Sequence, residues 1–158
     1  MEILFITILT VLASAVGTLS GFGTSTIMIP ALLFFMPLPQ TLLLVGIIHW
    51  FGDIWKMLIF KSGFRWKLIL LFGATGIVAS YAGANIVLAV SGRILTQILG
   101  GFLIFYALFI LLKPAFKVPQ TKVTALTGGA LSGFVAGVFG VGGAIRSAFL
   151  SAFDLPKA

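Results

Sequence analysis

Apolar residues fill the chain in long runs that are separated by short polar or basic stretches. Three runs have helix-spanning length, at about residues 40–60, 68–90 and 94–112, and only Ser91-Gly92-Arg93 separates the last two. A helix that crosses the hydrocarbon core of a bilayer, about 30 Å thick, needs roughly 20 apolar residues. The pattern therefore predicts three membrane-crossing helices, of which the last two form a hairpin.

Two further apolar stretches are interrupted by glycine-rich breaks. The first runs from Ile3 to about Val16, is interrupted within residues 17–30, and resumes from Thr26 to Met36. The second is interrupted within residues 137–143. Neither arm around the first break is long enough for an upright crossing, so both are either short crossings or half-helices. Non-helical backbone at membrane depth persists only where it is buried in protein or lines a wet cavity, so the breaks predict a site.

The composition is that of a membrane protein. Hydrophobic residues make up 60% of the chain and charged residues 8%, whereas a soluble domain carries about 25% charged residues. A transmembrane β-barrel would need short segments of alternating apolar and polar residues, and the sequence has none. We therefore predict an all-α, polytopic transmembrane helix bundle with glycine-broken helices. Cysteine is absent, which excludes disulfides and thiol chemistry.

Most basic residues lie in two short loops between apolar runs. In a soluble protein the net charge of +7 would suggest a nucleic-acid partner. Here the basic residues are clustered in loops that flank membrane helices, and the positive-inside rule accounts for them. No nucleic-acid partner is therefore expected. We expect the loops at residues 56–67 and 113–122 on the cytoplasmic side of the cell membrane. They hold Lys56, Lys61, Arg65 and Lys67, and Lys113, Lys117 and Lys122, respectively.

The two breaks indicate an internal duplication. An offset of 119 residues places Gly140 on Gly21 and Gly142 on Gly23, and later in each unit comes a Leu-Pro pair. We assign residues 1–119 to a first repeat and residues 120–158 to the beginning of a second. If both opening arms cross, a repeat holds five crossings and the repeats are inverted; if they form a re-entrant hairpin, the repeats are parallel. We favour inversion, the arrangement of known transporters with broken helices.

Small residues recur at helical spacing in the second long run. Such a stripe lets the backbone of another helix approach closely, so we expect a packing role. The stripe consists of Gly73, Gly76, Ala79, Ser80, Gly83 and Ala84.

Both breaks follow a similar pattern. Residues 20–32 read Ser-Gly-Phe-Gly-Thr-Ser-Thr-Ile-Met-Ile-Pro-Ala-Leu, and residues 137–146 read Gly-Val-Phe-Gly-Val-Gly-Gly-Ala-Ile-Arg. These segments, together with the basic loop at residues 60–67, resemble the sulfite exporter TauE/SafE family of bacterial and archaeal membrane transporters. Thr24 and Ser25 stand where the family pattern has glycines. The resemblance implies a secondary transporter that exports a small anion, sulfite or an organosulfonate.

We expect the substrate to lie near the midplane, where the two breaks face each other. Arg146 follows the second break, and its forked donors suit an oxyanion, while backbone N–H groups freed at the breaks would add partial positive charge. The alternatives are that Arg146 reaches the membrane interface and that the glycines are helix contacts. The candidate substrate-binding residues are Ser20, Gly21, Gly23, Thr24, Ser25, Gly140, Gly142, Gly143 and Arg146.

His49, Asp53 and Lys56 share one face of a predicted helix, at i, i+4 and i+7. Ionisable residues inside a membrane are candidates for function, and imidazole titrates near neutral pH, so His49 and Asp53 are hypothesised to couple protons. The alternative is that Asp53 pairs with Lys56 and His49 bonds to a carbonyl. No metal site and no cofactor are expected. No catalytic centre is expected either, because the chain has no Cys and no second His, and Ser20 and Ser25 have no visible base.

Two functions from different classes stay open. The first is anion export through a multi-pass protein of the lipid bilayer. The second is a non-transporting scaffold or half-subunit that needs a partner chain, because the sequence looks like a first repeat followed by the opening of a second. A homo-oligomer or a complementing half-chain would supply the helices that the second repeat lacks.

Overall fold

The fold is built from helices throughout the part of the chain that the structure describes. The structure is a computed structural model that describes residues 2–20, 23–59, 65–112, 118–150 and 153. This part contains seven helices and no strand, and the predicted all-α bundle is confirmed. The helices are α1 Glu2–Ser20, α2 Ser25–Leu32, α3 Leu38–Ile59, α4 Trp66–Ala89, α5 Gly92–Leu112, α6 Lys122–Phe139 and α7 Gly143–Leu150.

Four of these helices, α3 to α6, are long and apolar enough to cross a membrane. The three crossings predicted from the long apolar runs correspond to α3, α4 and α5. The helix α1 has 19 residues, whereas α2 and α7 have eight each. Eight helical residues rise about 12 Å, less than half of a hydrocarbon core of about 30 Å, so α2 and α7 are too short to cross alone. Whether the two opening arms cross stays a prediction, and so does the inversion of the repeats.

The first break is shorter than the sequence pattern predicts. Residues 17–20 were assigned to the break, but they form the last turn of α1, so that assignment is wrong. The carbonyl oxygen of Gly17 accepts a hydrogen bond from the N–H of Gly23 at 3.1 Å. A Cβ on Gly17 would lie 2.6 Å from the carbonyl carbon of Gly23. Gly17 is therefore needed for the close return of the chain onto α1 rather than for ending that helix.

A glycine with positive φ lies in each break. Gly23 precedes α2 with φ +82°, and Gly140 follows α6 with φ +72°. Glycine adopts this left-handed backbone without the steric clash that a Cβ causes. The offset of 119 residues carries Ser20, the last residue of α1, onto Phe139, the last residue of α6. The matched helix ends support a duplication, and the division into two repeats stays a prediction.

The small-residue stripe on α4 packs against α6. A Cβ on Gly83 would lie 2.6 Å from the carbonyl oxygen of Phe134. From the other side, three glycines of α6 at four-residue spacing each face a carbonyl oxygen of α4 so closely that an added Cβ would collide with it. They are Gly129, Gly133 and Gly137, facing Phe72, Gly76 and Ser80, respectively. The packing role predicted for the stripe is confirmed at Gly76, Ser80 and Gly83, whereas an added Cβ at Gly73 would meet open space and Ala84 is exposed.

The buried core gathers around the short helix α2, while the outer faces are apolar and exposed. Met28, Ile29 and Leu32 of α2 belong to the same buried cluster as side chains of α1, α3, α5, α6 and the second break. On the outside of α4, Ile77 and Leu88 are 72% and 86% exposed, as expected where lipid is the solvent. The predicted cytoplasmic loops lie partly outside the described residues, at residues 60–64 and 113–117.

Candidate functional site

A cavity of about 370 Å³ lies between α2, α3 and the second break. Three groups of residues line it, and they come from parts of the chain that are far apart in sequence. They are Ser25 and Ile29 of α2; Leu42, Val45, Gly46, His49, Trp50 and Asp53 of α3; and Ala136, Gly137, Gly140, Gly142 and Arg146 around the second break. The cavity thus joins the second break, the residue that opens α2, and the ionisable face of α3.

The two breaks approach each other beside His49. A Cβ placed on Gly23 would lie 3.5 Å from the Cα of Gly143 and 3.8 Å from Nε2 of His49. No larger residue could occupy position 23 without entering the space between the second break and the imidazole ring. The close approach places the backbone of both breaks next to one ring nitrogen of His49.

The other ring nitrogen of His49 contacts a carboxylate. Nδ1 of His49 lies 3.1 Å from Oδ2 of Asp53, and Nζ of Lys56 lies 3.3 Å from Oδ1 of the same side chain. The shared helical face predicted from the sequence is observed, and so is the pairing of Asp53 with Lys56. The expectation that His49 bonds to a backbone carbonyl is wrong, because its partner is the Asp53 carboxylate. His49 therefore connects this charged group to the breaks.

Arg146 enters the cavity from α7. The backbone N–H of Arg146 bonds to the carbonyl of Gly142 at 3.0 Å, which fixes the first turn of α7 to the second break. Its side chain is exposed, and within the described ranges it forms no ion pair. The acidic side chain that lines the cavity is Asp53, and its two oxygens already contact His49 and Lys56. The guanidinium is thus available to a ligand.

The helix α5 supports the second break from behind. The hydroxyl of Tyr106 donates a hydrogen bond to the carbonyl of Ala144 at 3.1 Å. One turn earlier, the ring of Phe102 stacks on Phe139, the last residue of α6, with centroids 6.3 Å apart. These contacts hold the end of α6 and the beginning of α7 against a long helix, which gives the short helix α7 a fixed position.

The remaining predicted site residues lie beside the cavity or outside the described part. Gly23 and Gly143 form the contact between the breaks and do not line the cavity. Thr24 is buried, and its hydroxyl donates to Ser14 of α1 at 3.5 Å, away from the cavity. Ser20 is the last residue of α1, and nothing is described of its side chain; Gly21 lies outside the described residues.

Not all backbone N–H groups of the first break are available to an anion. The N–H of Gly23 bonds to Gly17, and the N–H of Thr26 bonds to Gly23 at 3.3 Å. The expectation that the freed N–H groups point into the site is therefore wrong for these two residues. These N–H groups instead bond to one carbonyl of α1 and one of the break, and backbone at membrane depth needs such internal partners.

Sequence reasoning missed the apolar wall that α3 contributes. Leu42, Val45, Gly46 and Trp50 line the cavity together with His49 and Asp53. The signal was present, because these positions continue the i, i+3, i+4 spacing of the ionisable face toward the N-terminus of α3. No group of three or more His, Asp or Glu side chains with a geometry suited to a metal ion occurs among the described residues.

The family model for the sulfite exporter TauE/SafE matches residues 6–158 of the chain. The chain belongs to the sulfite exporter TauE/SafE family. Neither a curated protein nor a solved structure matches the chain. Membership in the TauE/SafE family, together with the long apolar helices, identifies a multi-pass membrane protein of a family of anion exporters rather than of enzymes.

Proposed function

We propose that this chain exports a small anion, sulfite or an organosulfonate, and that the anion binds in the cavity between the two breaks. The observation that supports this most directly is the position of Arg146. Arg146 lines the cavity beside the second break, and its guanidinium forms no ion pair within the described residues. A guanidinium offers two parallel donors to the oxygens of a sulfite, sulfonate or carboxylate group.

The charges around the cavity also favour an anion. Arg146 and Lys56 carry positive charge and Asp53 negative charge, so the three groups together leave one positive charge when His49 is neutral. Protonation of His49 raises this sum by one. Asp53 and Lys56 are each a little under half exposed and Arg146 is exposed, so this charge acts at short range, through direct contact with the anion.

The cavity has the size for a small hydrated anion. Its volume of about 370 Å³ equals the share of roughly a dozen water molecules at about 30 Å³ each. The hydroxyl-bearing residue Ser25 opens α2 at one side of the cavity, and Trp50 and Leu42 provide apolar wall. An organosulfonate would place its sulfonate near Arg146 and its carbon chain against that wall.

Export of an anion needs no second substrate. A cell interior that is negative expels an anion with about 2.3 kcal/mol per charge for each 100 mV of membrane potential. His49 and Asp53 add a further element, because protonation of the imidazole increases the positive charge beside the site. We propose that His49 and Asp53 tune anion binding to pH, in the cell membrane, with the basic loops at residues 56–67 and 113–122 in the cytoplasm.

Flux measured in proteoliposomes tests the function. The purified chain is reconstituted with labelled sulfite or an alkylsulfonate inside, and release is followed with and without an imposed potential, against protein-free vesicles. We expect release above that of empty vesicles, faster when the interior is negative. Absence of any release, with the protein helical and inserted, would contradict the proposal and favour the half-subunit alternative, which co-reconstitution with a complementing chain would then test.

A further inference from the structure

Two adjoining clefts on the outside of the bundle form one groove that is distinct from the transport cavity. A cleft of about 520 Å³ lies at the turn between α2 and α3 and the beginning of α5, and a second of about 240 Å³ continues along α5. Leu33 and Thr96 line both clefts, so the two are continuous. We call the two clefts together the α2–α5 groove.

The α2–α5 groove changes from polar to apolar along its length. At one end it is lined by Arg93 and Gln97, and at the other by Leu99, Gly100 and Leu103. These positions follow helical spacing, so they form one stripe along α5. From Arg93 to Leu103 the helix rises about 15 Å, which is half of a hydrocarbon core of about 30 Å. The groove therefore has the length of one leaflet.

The polar end carries an uncompensated positive charge. Arg93 is exposed and forms no ion pair in the part of the chain that the structure describes. Asp53, which lines the transport cavity, is occupied by His49 and Lys56. Because Arg93 lies in the first turn of α5, next to the turn that begins α3, its guanidinium is at the level where an apolar helix meets the headgroups.

We propose that the α2–α5 groove binds one anionic phospholipid. The headgroup phosphate pairs with Arg93 and is within reach of the Gln97 amide, and one acyl chain lies along Gly100 and Leu103 between α5 and α2. Charge complementarity at one end and an apolar surface of leaflet length at the other select a lipid. A soluble anion would use the polar end alone.

Glycines on α5 provide a matched pair of variants. A Cβ added at Gly100, which lines the groove, and at Gly101, which does not, would each meet open space. Gly100→Leu therefore extends a side chain into the groove from a Cβ that meets no neighbour, and Gly101→Leu adds the same side chain to the lipid-facing surface outside it. For the headgroup end, Arg93→Gln removes the charge, and Arg65→Gln removes an exposed charge that precedes α4 and lies outside the groove.

Native mass spectrometry of the purified protein in detergent, with phosphatidylglycerol or phosphatidylcholine added, counts the lipids that remain bound. We expect one phosphatidylglycerol retained by the unaltered chain, and retention of phosphatidylcholine to be several-fold lower. Arg93→Gln removes the charge-assisted hydrogen bond to the headgroup phosphate and should therefore lower retention about tenfold. Gly100→Leu should lower it as well, while Gly101→Leu and Arg65→Gln leave it unchanged. Circular dichroism confirms that each variant is folded.

Three results would overturn the proposal. Equal retention by all variants would show only a nonspecific lipid layer. Equal retention of the two lipids would show that the charge at Arg93 selects nothing. Displacement of the lipid by an excess of glycerol phosphate as effectively as by phosphatidylglycerol would indicate an anion site that does not recognise the acyl chain.

Discussion

Gly23 and Gly143, one from each glycine-rich break, approach so closely that a Cβ on Gly23 would lie 3.5 Å from the Cα of Gly143. The same added atom would lie 3.8 Å from Nε2 of His49. This contact ties the two breaks and the ionisable face of α3 into one unit at the edge of the cavity. Substitutions in that unit separate the proposed transport function from the stability of the bundle.

Gly23→Ala tests the contact between the breaks. Alanine at φ +82° costs roughly 1–2 kcal/mol, and its methyl group enters the space beside His49. We expect a fall in anion flux in proteoliposomes that exceeds the loss of folded protein. Gly52→Ala is the control, because Gly52 lies on α3 outside the cavity and its added Cβ meets open space. Equal flux in the two variants would argue against a role for the contact.

Arg146→Gln tests the anion site. Removal of a charged hydrogen-bond donor from a bound anion costs about 1.5–3 kcal/mol, which corresponds to roughly 10- to 150-fold weaker binding. Isothermal titration with sulfite in detergent measures the affinity directly. The affinity of Arg146→Lys should lie between those of the unaltered chain and Arg146→Gln, because lysine keeps the charge but loses the forked geometry. Arg65→Gln, outside the cavity, should bind as the unaltered chain does. Undiminished affinity in Arg146→Gln would remove Arg146 from the site.

The pH dependence of transport tests His49. A proton on the imidazole would add positive charge beside the cavity, so anion binding should be stronger at lower pH. The charged groups that share the site are Asp53 and Lys56 on α3 and Arg146 on α7. Flux of an alkylsulfonate, which stays anionic as the pH is lowered, should become nearly independent of pH in His49→Gln. The same pH dependence before and after the substitution would dismiss coupling through His49.

Gly133→Ala tests the packing of α4 on α6. Its added methyl group would collide with the backbone carbonyl of Gly76, and overpacking of this kind typically costs about 1–3 kcal/mol. Thermal unfolding in detergent, followed by circular dichroism, should show a lower midpoint. Gly73→Ala, in the same stripe on α4 but facing open space, should be neutral or stabilising by up to about 1 kcal/mol. Similar midpoints for both variants would mean that the close packing of α4 on α6 at Gly133 does not contribute to stability.

Some features were readable from sequence because they depend on neighbouring residues alone. The long apolar runs gave the helices α3, α4 and α5 to within about two residues, since lipid requires a continuous apolar helix. The first break was placed too early, at Gly17. A glycine that ends a helix and a glycine that lets another segment approach look alike in a sequence. Only the contact of Gly17 with Gly23 shows that Gly17 has the second role.

The sequence by itself therefore determined that the chain is a helical membrane protein with two glycine-rich breaks, and its motifs pointed to the family. It also showed that His49, Asp53 and Lys56 share a face. The tertiary structure decided that His49 and Asp53 line the same cavity as Arg146, and that α6 is the partner of the stripe on α4. The reason is physical. Lipid is as apolar as the interior of the bundle, so hydropathy does not reveal which side of a membrane helix faces inward, and only packing fixes it.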